Sequence, residues 1–392
     1  CGLAATRRLA SLRPDEEILL IEADRIGYGV SGRSAGFMLN LHSHGVPKDL
    51  DVLRRTMRFW SDGLSALRTL VREHQIQCDW SDWGRLYGAA GPDSDRNMDM
   101  LADTLDSLDQ TFELRSRDQM IHDLGTDFYH RGLFAGGNAL VNPAALMRGL
   151  AQTLPANVVL FEKSPVLSLE KRSGLFHLET AQGSVTADKV VLTTGAHLQH
   201  FGIGRGRYVP IATYASLSAP LSEEQASIFR IGEEAAIFST SENGATIRLT
   251  RDRRLFFRNR FTFNPSGNAS GRSVAVAGAM HRGGIRRRWP MLADLEIPYV
   301  WGGVMAFTAN NGTVFGEIEP DLFAVLTHDI GPTTRGTSMG GLIADLIEGC
   351  DSPLLGEALS IPNARRLPPR PILDLGVAWE LNRIRRQGAG EF

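Results

Sequence analysis

The chain has 392 residues, a hydrophobic share of 43%, a charged share of 22% and a net charge of −2. These values are typical of a soluble globular protein of one large or two ordinary domains, and they exclude a strong attraction to nucleic acid. No apolar run reaches the roughly 18 residues of a membrane-spanning segment. Three scattered cysteines, Cys1, Cys78 and Cys350, fit neither a disulfide framework nor a zinc site, so we expect no metal and a cytoplasmic location.

The first 22 residues carry the pattern of a dinucleotide-binding unit. Gly2 opens a helical pattern over residues 2–12, and an apolar strand over 18–22 ends in Glu22. In a G-x-G-x-x-G site the last glycine begins the helix, and an acid about 20 residues later accepts hydrogen bonds from a ribose. We therefore expect a nucleotide site whose first strand and earlier glycines lie before residue 1. The alternative is an ordinary strand that ends in a surface glutamate.

A second candidate segment is small and polar. It reads Ser31-Gly32-Arg33-Ser34-Ala35-Gly36. Small residues let the backbone pass close to a flat ligand, the two serines can donate to phosphate oxygens, and Arg33 can neutralise them. The alternative is a flexible glycine- and serine-rich loop.

The next elements are predicted from hydrophobic spacing. A helix with one core-facing apolar stripe is predicted from Leu53, Met57, Trp60, Leu64, Leu67 and Val71. Strands are predicted at 83–89, Val158–Phe161, Val166–Glu170 and Phe176–Thr180, and helices at 93–110 and after Asn142-Pro143. Residues 206–300 contain mostly short β-like runs, and the triplet Arg286-Arg287-Arg288 is expected on a solvated surface.

A third glycine-rich segment lies near the end of the chain. Residues Gly331–Gly341 are predicted to form a turn that leads into an apolar helix from Leu342. The dipole of that helix can face a phosphate or the edge of an electron-rich ring. The alternative is an ordinary helix start capped by Thr337 or Ser338. The polar tail after Pro369 is expected to be loosely held.

The order and spacing of these motifs resemble the D-amino-acid oxidase/glycine oxidase superfamily of FAD-dependent oxidoreductases. The branch is that of the γ-glutamylputrescine oxidoreductases and sarcosine-oxidase-like enzymes. The similar stretches are Glu22–Gly27, Ser31–Phe37, Asn142-Pro143, Thr193–Ala196, Trp301–Gly303 and Gly331–Gly341. The resemblance runs from residue 1 to about residue 370.

The resemblance implies an α/β fold with two domains. One is a Rossmann-like FAD-binding domain whose first strand is missing, and the other is a β-rich α+β substrate domain. We expect the FAD-binding domain to comprise residues 1–80, 140–205 and 301–370, the substrate domain 81–139 and 206–300, and the tail 371–392.

The resemblance also implies roles for the motif residues. Glu22 binds the adenosine ribose, Val166 contacts adenine through its backbone, and Gly336 and Thr337 lie at the pyrimidine edge of the flavin. The full set of expected FAD-binding residues is Gly2, Glu22, Ala23, Ser31, Gly32, Arg33, Ser34, Ala35, Gly36, Val166, Thr194, Gly195, Gly331, Arg335, Gly336 and Thr337.

Two departures from the family pattern concern the substrate site. The family run R-x-L-x-F-G-G ends here in Arg258-Asn259 instead of two glycines, which changes the shape of the pocket. The chain has no lysine after Lys189, although some sarcosine-oxidase-like members place a lysine over the flavin. We therefore expect one of two outcomes. Either His281, Arg282 or Arg258 supplies the positive charge near the flavin, or the electrons pass to an acceptor other than oxygen.

The sequence also contains candidates for single catalytic residues. The candidates are His44, Arg258 and His281, with His42 close to the first of them. Arg248 and Arg258 are candidates for holding a substrate carboxylate through paired N–H donors.

The expected reaction is the oxidation of a C–N bond in a small amine or amino acid. Hydride passes to flavin N5, the imine hydrolyses, and electrons go to oxygen. One alternative is a dehydrogenase that uses a quinone or carrier protein, and another is a gene fragment unable to hold FAD. On the second alternative, we expect weak FAD binding by this chain and stronger binding after an upstream extension of roughly 20–30 residues.

Overall fold

A computed structural model describes residues 1–40, 49–241, 244–267, 269, 271–328, 332–387 and 389–391. The α-helices in these ranges are α1 (Gly2–Leu12), α2 (Val30–Arg33), α3 (Leu50–Glu73), α4 (Pro92–Ser107), α5 (Arg117–Leu124), α6 (Pro143–Gln152), α7 (Glu223–Ala226), α8 (Arg272–Arg288), α9 (Pro332–Ile347), α10 (Pro353–Ser360) and α11 (Ile372–Gln387). None of these helices is long and apolar enough to cross a membrane.

The strands lie between these helices. They are β1 (Ile18–Ile21), β2 (Phe37–Met38), β3 (Arg85–Ala89), β4 (Phe112–Arg115), β5 (Arg131–Ala135), β6 (Ala139–Leu140), β7 (Val158–Phe161), β8 (Ser168–Arg172), β9 (Leu175–Glu179), β10 (Ser184–Ala187), β11 (Val190–Leu192), β12 (Val209–Leu217), β13 (Ala235–Ser239), β14 (Thr246–Leu249), β15 (Leu255–Phe263), β16 (Tyr299–Phe307), β17 (Val314–Glu319) and β18 (Leu322–Leu326).

Among the described residues, eight strands form one large sheet in the order β16-β12-β15-β14-β13-β3-β5-β4. Neighbouring strands are antiparallel except β13 and β3, which are parallel. The edge strand β16 pairs with β12 along nine residues, from Tyr299 to Phe307. The domain boundary predicted at residue 301 therefore falls inside a strand of this sheet.

Shorter parallel pairs form the part of the molecule that contains the predicted nucleotide segments. Strand β1 is parallel to β7, and β11 is parallel to β18, which also pairs with β17. Helix α9 packs against both α1 and α3 beside these strands. Within the described ranges, the β1–β7 pair and the β11–β18–β17 sheet share no hydrogen-bonded strand. Parallel strands covered by helices are the arrangement expected of an α/β nucleotide domain.

Most elements predicted from hydrophobic spacing are confirmed, with α1, α3, α6 and β7 within three residues of their predicted limits. Helix α9 differs, because it begins at Pro332 rather than at Leu342. Its glycines serve helix packing. A side chain on Gly340 would overlap the carbonyl oxygen of Cys1, and a Cβ on Gly336 would lie 3.1 Å from the Cys1 Sγ. The glycine-rich composition predicted a turn. In the structure these glycines lie inside α9, where the absence of a side chain allows α1 to begin directly against it.

Arg286 and Arg287 are exposed as predicted, but Arg288 and the tail differ from the prediction. Arg288 is buried, and its Nε donates to the Tyr129 hydroxyl at 2.9 Å while its Nη2 donates to the Glu391 carbonyl at 2.6 Å. Its guanidinium also lies 4.0 Å from the ring centre of Phe128. The tail forms α11 and returns its last described residues to this buried arginine, so it is not loosely held. Buried donors need acceptors, and the chain end supplies one.

Candidate active site

The N-terminus of α1 has the features of an anion site. No side chain caps this helix, and its first turn contains no acidic residue. The unpaired N–H groups and the positive end of the helix dipole therefore suit a phosphate. A Cβ on Gly2 would lie 2.8 Å from the Thr193 Oγ1, so glycine lets α1 start against the end of β11. Thr194 and Gly195, which has a φ of 55°, follow at this point.

Glu22 lies directly after β1 and is half-buried. Its carboxylate accepts a hydrogen bond from the Asp24 backbone N–H at 3.0 Å, and its own carbonyl accepts one from Ser164 at 2.9 Å. Burial raises the pKa of the Glu22 carboxyl, and the nearby charges of Asp24 and Glu162 act in the same direction. Hydrogen bonds from hydroxyl donors would stabilise the ionised form of such a partly buried carboxyl. Ala23 beside it is exposed, and Val166 packs on the same core cluster as Ile21.

The segment from Ser31 to Gly36 comprises the last three residues of α2 and the tight turn that follows them. A side chain on Gly32 would overlap the carbonyl oxygen of Gly27, so the backbone closes on itself where only glycine fits. Ser34 donates to the Ser31 carbonyl at 3.4 Å and accepts from the Gly36 N–H at 3.3 Å. The serine hydroxyl that was predicted to contact phosphate therefore shapes the turn in this structure.

Arg33 connects the turn to the large sheet. Its Nη1 donates to the Gly302 carbonyl at 3.0 Å, and its guanidinium lies 4.3 Å from the Tyr28 ring centre. In return, the Trp301 Nε1 donates to the Arg33 carbonyl at 3.0 Å. The turn and the edge strand β16 are thus held face to face.

Arg248 makes the second connection. Its Nη1 donates to the Ala35 carbonyl at 3.3 Å and also to the Val141 carbonyl, and its Nη2 donates to Glu234 at 3.0 Å. Gly36 has a φ of 78°, and an added Cβ would lie 2.5 Å from the Arg248 Nη1. Because protein groups already occupy both terminal nitrogens, Arg248 is not placed to hold a substrate carboxylate.

The predicted residues near the chain's last glycine-rich segment lie on α9. Gly336 lies next to Cys1 at the start of α1, and the Thr337 hydroxyl donates to the Thr333 carbonyl at 2.8 Å. Arg335 is buried, and its Nη1 donates to the His328 carbonyl at 3.5 Å. The structure therefore brings Gly2 and Gly336 together. Gly331, His42 and His44 lie outside the described residues.

One face of the large sheet is turned toward the segment from Ser31 to Gly36. A continuous row of cross-strand neighbours crosses it, formed by Tyr87, Phe238, Thr246, Arg258, Ala215 and Trp301. Trp301 contacts the Arg33 carbonyl, and Arg248, which lies two residues after Thr246 on β14, contacts Ala35. Since side chains alternate along a strand, the row faces the turn that carries Ser31 to Gly36.

Arg258 is the cation of this row. It is partly buried, burial lowers its pKa to about 10, and it stays protonated at neutral pH. Its Nη1 lies 3.5 Å from the Thr246 hydroxyl, and its guanidinium lies 4.6 Å from the Phe261 ring centre. It makes no ion pair with any carboxylate of the described residues. A partly desolvated guanidinium of this kind suits an anionic group of a ligand.

His281 lies behind the sheet. Its Nδ1 is 2.6 Å from the hydroxyl of Ser216, whose side chain points away from the Arg258 row because it follows Ala215 on β12. His281 belongs to α8, and its ring is fully buried between this helix and the sheet. Burial lowers its pKa to about 4, and the charges of Arg258, Arg260 and Arg282 act in the same direction. A neutral imidazole on the far face does not supply the expected positive charge, so Arg258 is the stronger candidate.

This burial predicts a pH dependence of stability. Between pH 6.5 and about 4, the unfolded chain protonates His281 whereas the folded chain does not, so acidification favours unfolding. We expect this group to lower the free energy of unfolding by about 3 kcal/mol by pH 4. Urea titrations at several pH values should show a shallower acid loss for His281→Gln than for the wild type. His74→Gln, at an exposed site, is the control, and an unchanged slope in His281→Gln would contradict the prediction.

The sequence did not reveal Tyr87, Phe238 or Thr246 as site residues. Tyr87 and Phe238 lie on strands β3 and β13, which pair with each other although they are distant in the chain, and such a register has no local signal. Thr246 joins the row through its neighbours Phe238 and Arg258 on adjacent strands. The Tyr87 hydroxyl is fully buried and has no hydrogen-bond partner among the described residues.

Comparisons with known proteins show the family of the chain. The sequence model of the family described as FAD dependent oxidoreductase (DAO) matches residues 1–347. A probable oxidoreductase OrdL of Haemophilus influenzae is 26% identical over 387 residues, which cover 92% of this chain and 84% of that protein. A γ-glutamylputrescine oxidoreductase of Escherichia coli K12 is 23% identical over 373 residues, covering 89% and 81% respectively.

The fold is also similar to that of solved structures. A glycine oxidase from Geobacillus kaustophilus superposes with a TM-score of 0.77 at 15% sequence identity, covering 94% of this chain and 97% of that one. This similarity confirms the predicted fold class. Because the family match spans most of the sequence, the chain belongs to the DAO family of FAD-dependent oxidoreductases, and its cofactor is FAD.

Proposed function

We propose that the protein oxidises a C–N bond of a small amine or amino acid that carries an anionic group. The observation that carries this proposal is the position of Arg258. It is a partly buried cation without an ion-pair partner among the described residues. It lies on the sheet face that is turned toward the predicted cofactor-binding turn from Ser31 to Gly36. The name of the related γ-glutamylputrescine oxidoreductase supports an amine substrate.

The residues for FAD follow from the fit of the site. The uncapped start of α1 suits the pyrophosphate, and Glu22 suits the ribose hydroxyls. The proposed FAD-binding set is Gly2, Glu22, Ala23, Ser31, Gly32, Arg33, Ser34, Ala35, Gly36, Val166, Thr194, Gly195, Gly331, Arg335, Gly336 and Thr337. Arg33 and Ser34 contribute mainly through the shape of the turn.

We also retain the predicted division into two domains, with one change. The strand β16 is assigned to the substrate domain because it pairs with β12. The FAD-binding domain then comprises 1–80, 140–205 and the chain from residue 308 to 370, and the substrate domain comprises 81–139 and 206–307.

The chain's own residues orient the reactants. When bound, FAD supplies the two-electron oxidation by accepting a hydride at N5 from the carbon next to the amine nitrogen. Arg258 holds the anionic group of the substrate, and the aromatic side chains of Phe238 and Trp301 lie in the same row. Positioning of this kind accounts for much of the rate in such sites. The imine product hydrolyses in water, and oxygen takes the electrons.

The experiment that tests the proposal is a screen of amines and amino acids for anaerobic bleaching of the bound flavin. Compounds with a carboxylate should bleach it faster than amines that lack one. Hydrogen peroxide release in air then identifies an oxidase. The absence of lysine after Lys189 favours a second candidate, a dehydrogenase that uses a quinone or carrier protein, and turnover without peroxide would support it. Failure of every amine and amino acid to bleach the flavin would contradict the proposed function.

The ribose contact gives a separate prediction. Glu22→Ala should raise the Kd for FAD by roughly 10- to 100-fold, because a hydrogen bond to a charged group contributes about 1.5–3 kcal/mol. Glu17→Ala removes an exposed acid just before the same strand and should leave the Kd unchanged. Flavin fluorescence titration measures both variants. Equal Kd values for Glu22→Ala and the wild type would show that this acid does not bind the ribose.

A further inference from the structure

A buried ion pair lies at the junction between the large sheet and the turn from Ser31 to Gly36. Arg248 on β14 and Glu234, just before β13, each expose only 5% of their side chains, and Nη2 lies 3.0 Å from Oε1. The second oxygen of Glu234 lies 3.2 Å from the Nε of Arg251, which is 47% exposed. Glu234 therefore holds two arginines of one hairpin in fixed positions.

The two arginines donate to carbonyls from three separate parts of the chain. The Arg248 Nη1 donates to Ala35 and Val141, and the Arg251 Nη2 donates to Trp80 at 3.3 Å. Ala35 belongs to the turn from Ser31 to Gly36, which we call the flavin turn because it is predicted to bind the flavin cofactor. Val141 immediately precedes Asn142, the cap of α6. The ion pair thus fastens the sheet to the FAD-binding part of the molecule.

The position of Arg258 depends on this fastening. Thr246 and Arg248 point to the same face of β14, and Thr246 is the cross-strand neighbour of Arg258. A displacement of β14 relative to Ala35 would carry Arg258 with it. Arginine suits this place because its rigid fork presents separate N–H groups to the Glu234 carboxylate and to the two carbonyls, which one ammonium group does not do equally well.

We propose that Arg248, held by Glu234, is a positioning residue that sets the spacing between the flavin turn and the substrate cation Arg258. It contacts neither substrate nor reacting atoms. The spacing matters most in the transition state, because a misplacement of about 1 Å in a reacting pair can cost about 100-fold in rate. This inference rests on the proposed function for its kinetic consequence, but its effect on the flavin turn is independent of turnover.

Arg248→Lys tests the proposal, because it keeps the charge and removes the fork. We expect kcat to fall by about 10- to 100-fold with KM within about 3-fold of the wild type. We also expect the Kd for FAD to rise by about 10-fold as the Ala35 carbonyl loses its donor. Glu234→Gln, which leaves Arg248 without its charged partner, should change the same quantities in the same direction. Arg253→Lys, on the same hairpin but 48% exposed, is the control and should change neither quantity.

A double variant separates positioning from simple stability. Arg248→Met with Glu234→Met removes both charges and leaves no buried ion unpaired, so it should regain thermal stability relative to Arg248→Met alone. Its kcat should nevertheless stay low, because the carbonyl contacts are absent. Recovery of kcat together with stability would overturn the proposal, as would an Arg248→Lys protein with unchanged kcat and unchanged Kd for FAD. If the wild type binds FAD but oxidises no amine, the proposed function fails, and the Kd for FAD alone decides this inference.

Discussion

Replacing Gly36 with alanine is expected to abolish FAD binding and to destabilise the fold. Gly36 has a φ of 78°, and an added methyl would overlap the Val141 carbonyl oxygen and lie 2.5 Å from the Arg248 Nη1. The backbone strain and the clash together should cost about 3 kcal/mol or more of unfolding free energy. Because the clash displaces the flavin turn itself, we expect the Kd for FAD to rise by more than about 100-fold. Visible absorption of the purified protein and thermal melting measure the two effects.

Two other glycines serve as matched controls for this substitution. Gly29 lies just before α2 with a φ of −72°, and a Cβ added there meets no atom within 4 Å, so Gly29→Ala should retain FAD. Gly349 has a φ of 66° with open space around it. Gly349→Ala therefore measures the strain alone, which should be about 1 kcal/mol. A Gly36→Ala protein that holds FAD as tightly as Gly29→Ala would contradict the geometry described for the turn.

Replacing Arg258 with methionine is expected to raise KM for a carboxylate-bearing substrate by roughly 100-fold or more. The loss of one partner from a desolvated charge pair costs about 2–5 kcal/mol, and methionine keeps much of the apolar volume. FAD binding should be unchanged, because no predicted cofactor segment contacts this side chain. Steady-state kinetics with the best substrate from the flavin-bleaching screen provides the measurement.

The choice of substrate supplies the internal comparison for Arg258→Met. An analogue without the anionic group should be oxidised equally well by the variant and the wild type. Arg253→Met changes an exposed arginine of the same hairpin and should leave KM within about 2-fold, as is usual for surface substitutions. If Arg258→Met lowered kcat for both substrates without changing either KM, the guanidinium would act on the reaction rather than on substrate binding.

The glycines of the chain show what local sequence can and cannot predict. Gly32 and Gly36 were predicted to let the backbone pass close to a flat ligand. In the structure, a side chain on either one would overlap a carbonyl oxygen of the protein itself. Gly336 and Gly340 have a similar composition around them but a different role. They lie within α9, where they admit Cys1. Glycine content alone does not distinguish a turn from a close helix contact, because both require the absence of a side chain.

Arginines show the opposite limit. The sequence made Arg248 and Arg258 equal candidates for holding a substrate carboxylate and placed Arg288 on a solvated surface. The structure places one in an ion pair that joins two parts of the molecule, one on the face toward the cofactor segments, and one against the end of the chain. Their different roles follow from their partners, Glu234, Thr246 and Glu391, which lie between 12 and 103 residues away in the chain.

The sequence by itself determined the family, the cofactor and the α/β fold class. These depend on short-range patterns, such as the interval from Gly2 to Glu22 and the small residues from Ser31 to Gly36. Only the tertiary structure decided which cation faces the cofactor segments and that His281 lies behind the sheet. For Arg258, the physical reason is that the face on which a strand residue lies depends on the register of its strand, here with the distant strand β12. That register is established by packing of the whole sheet and has no local signal in the sequence. For His281, the reason is the packing of α8 against the back of the same sheet.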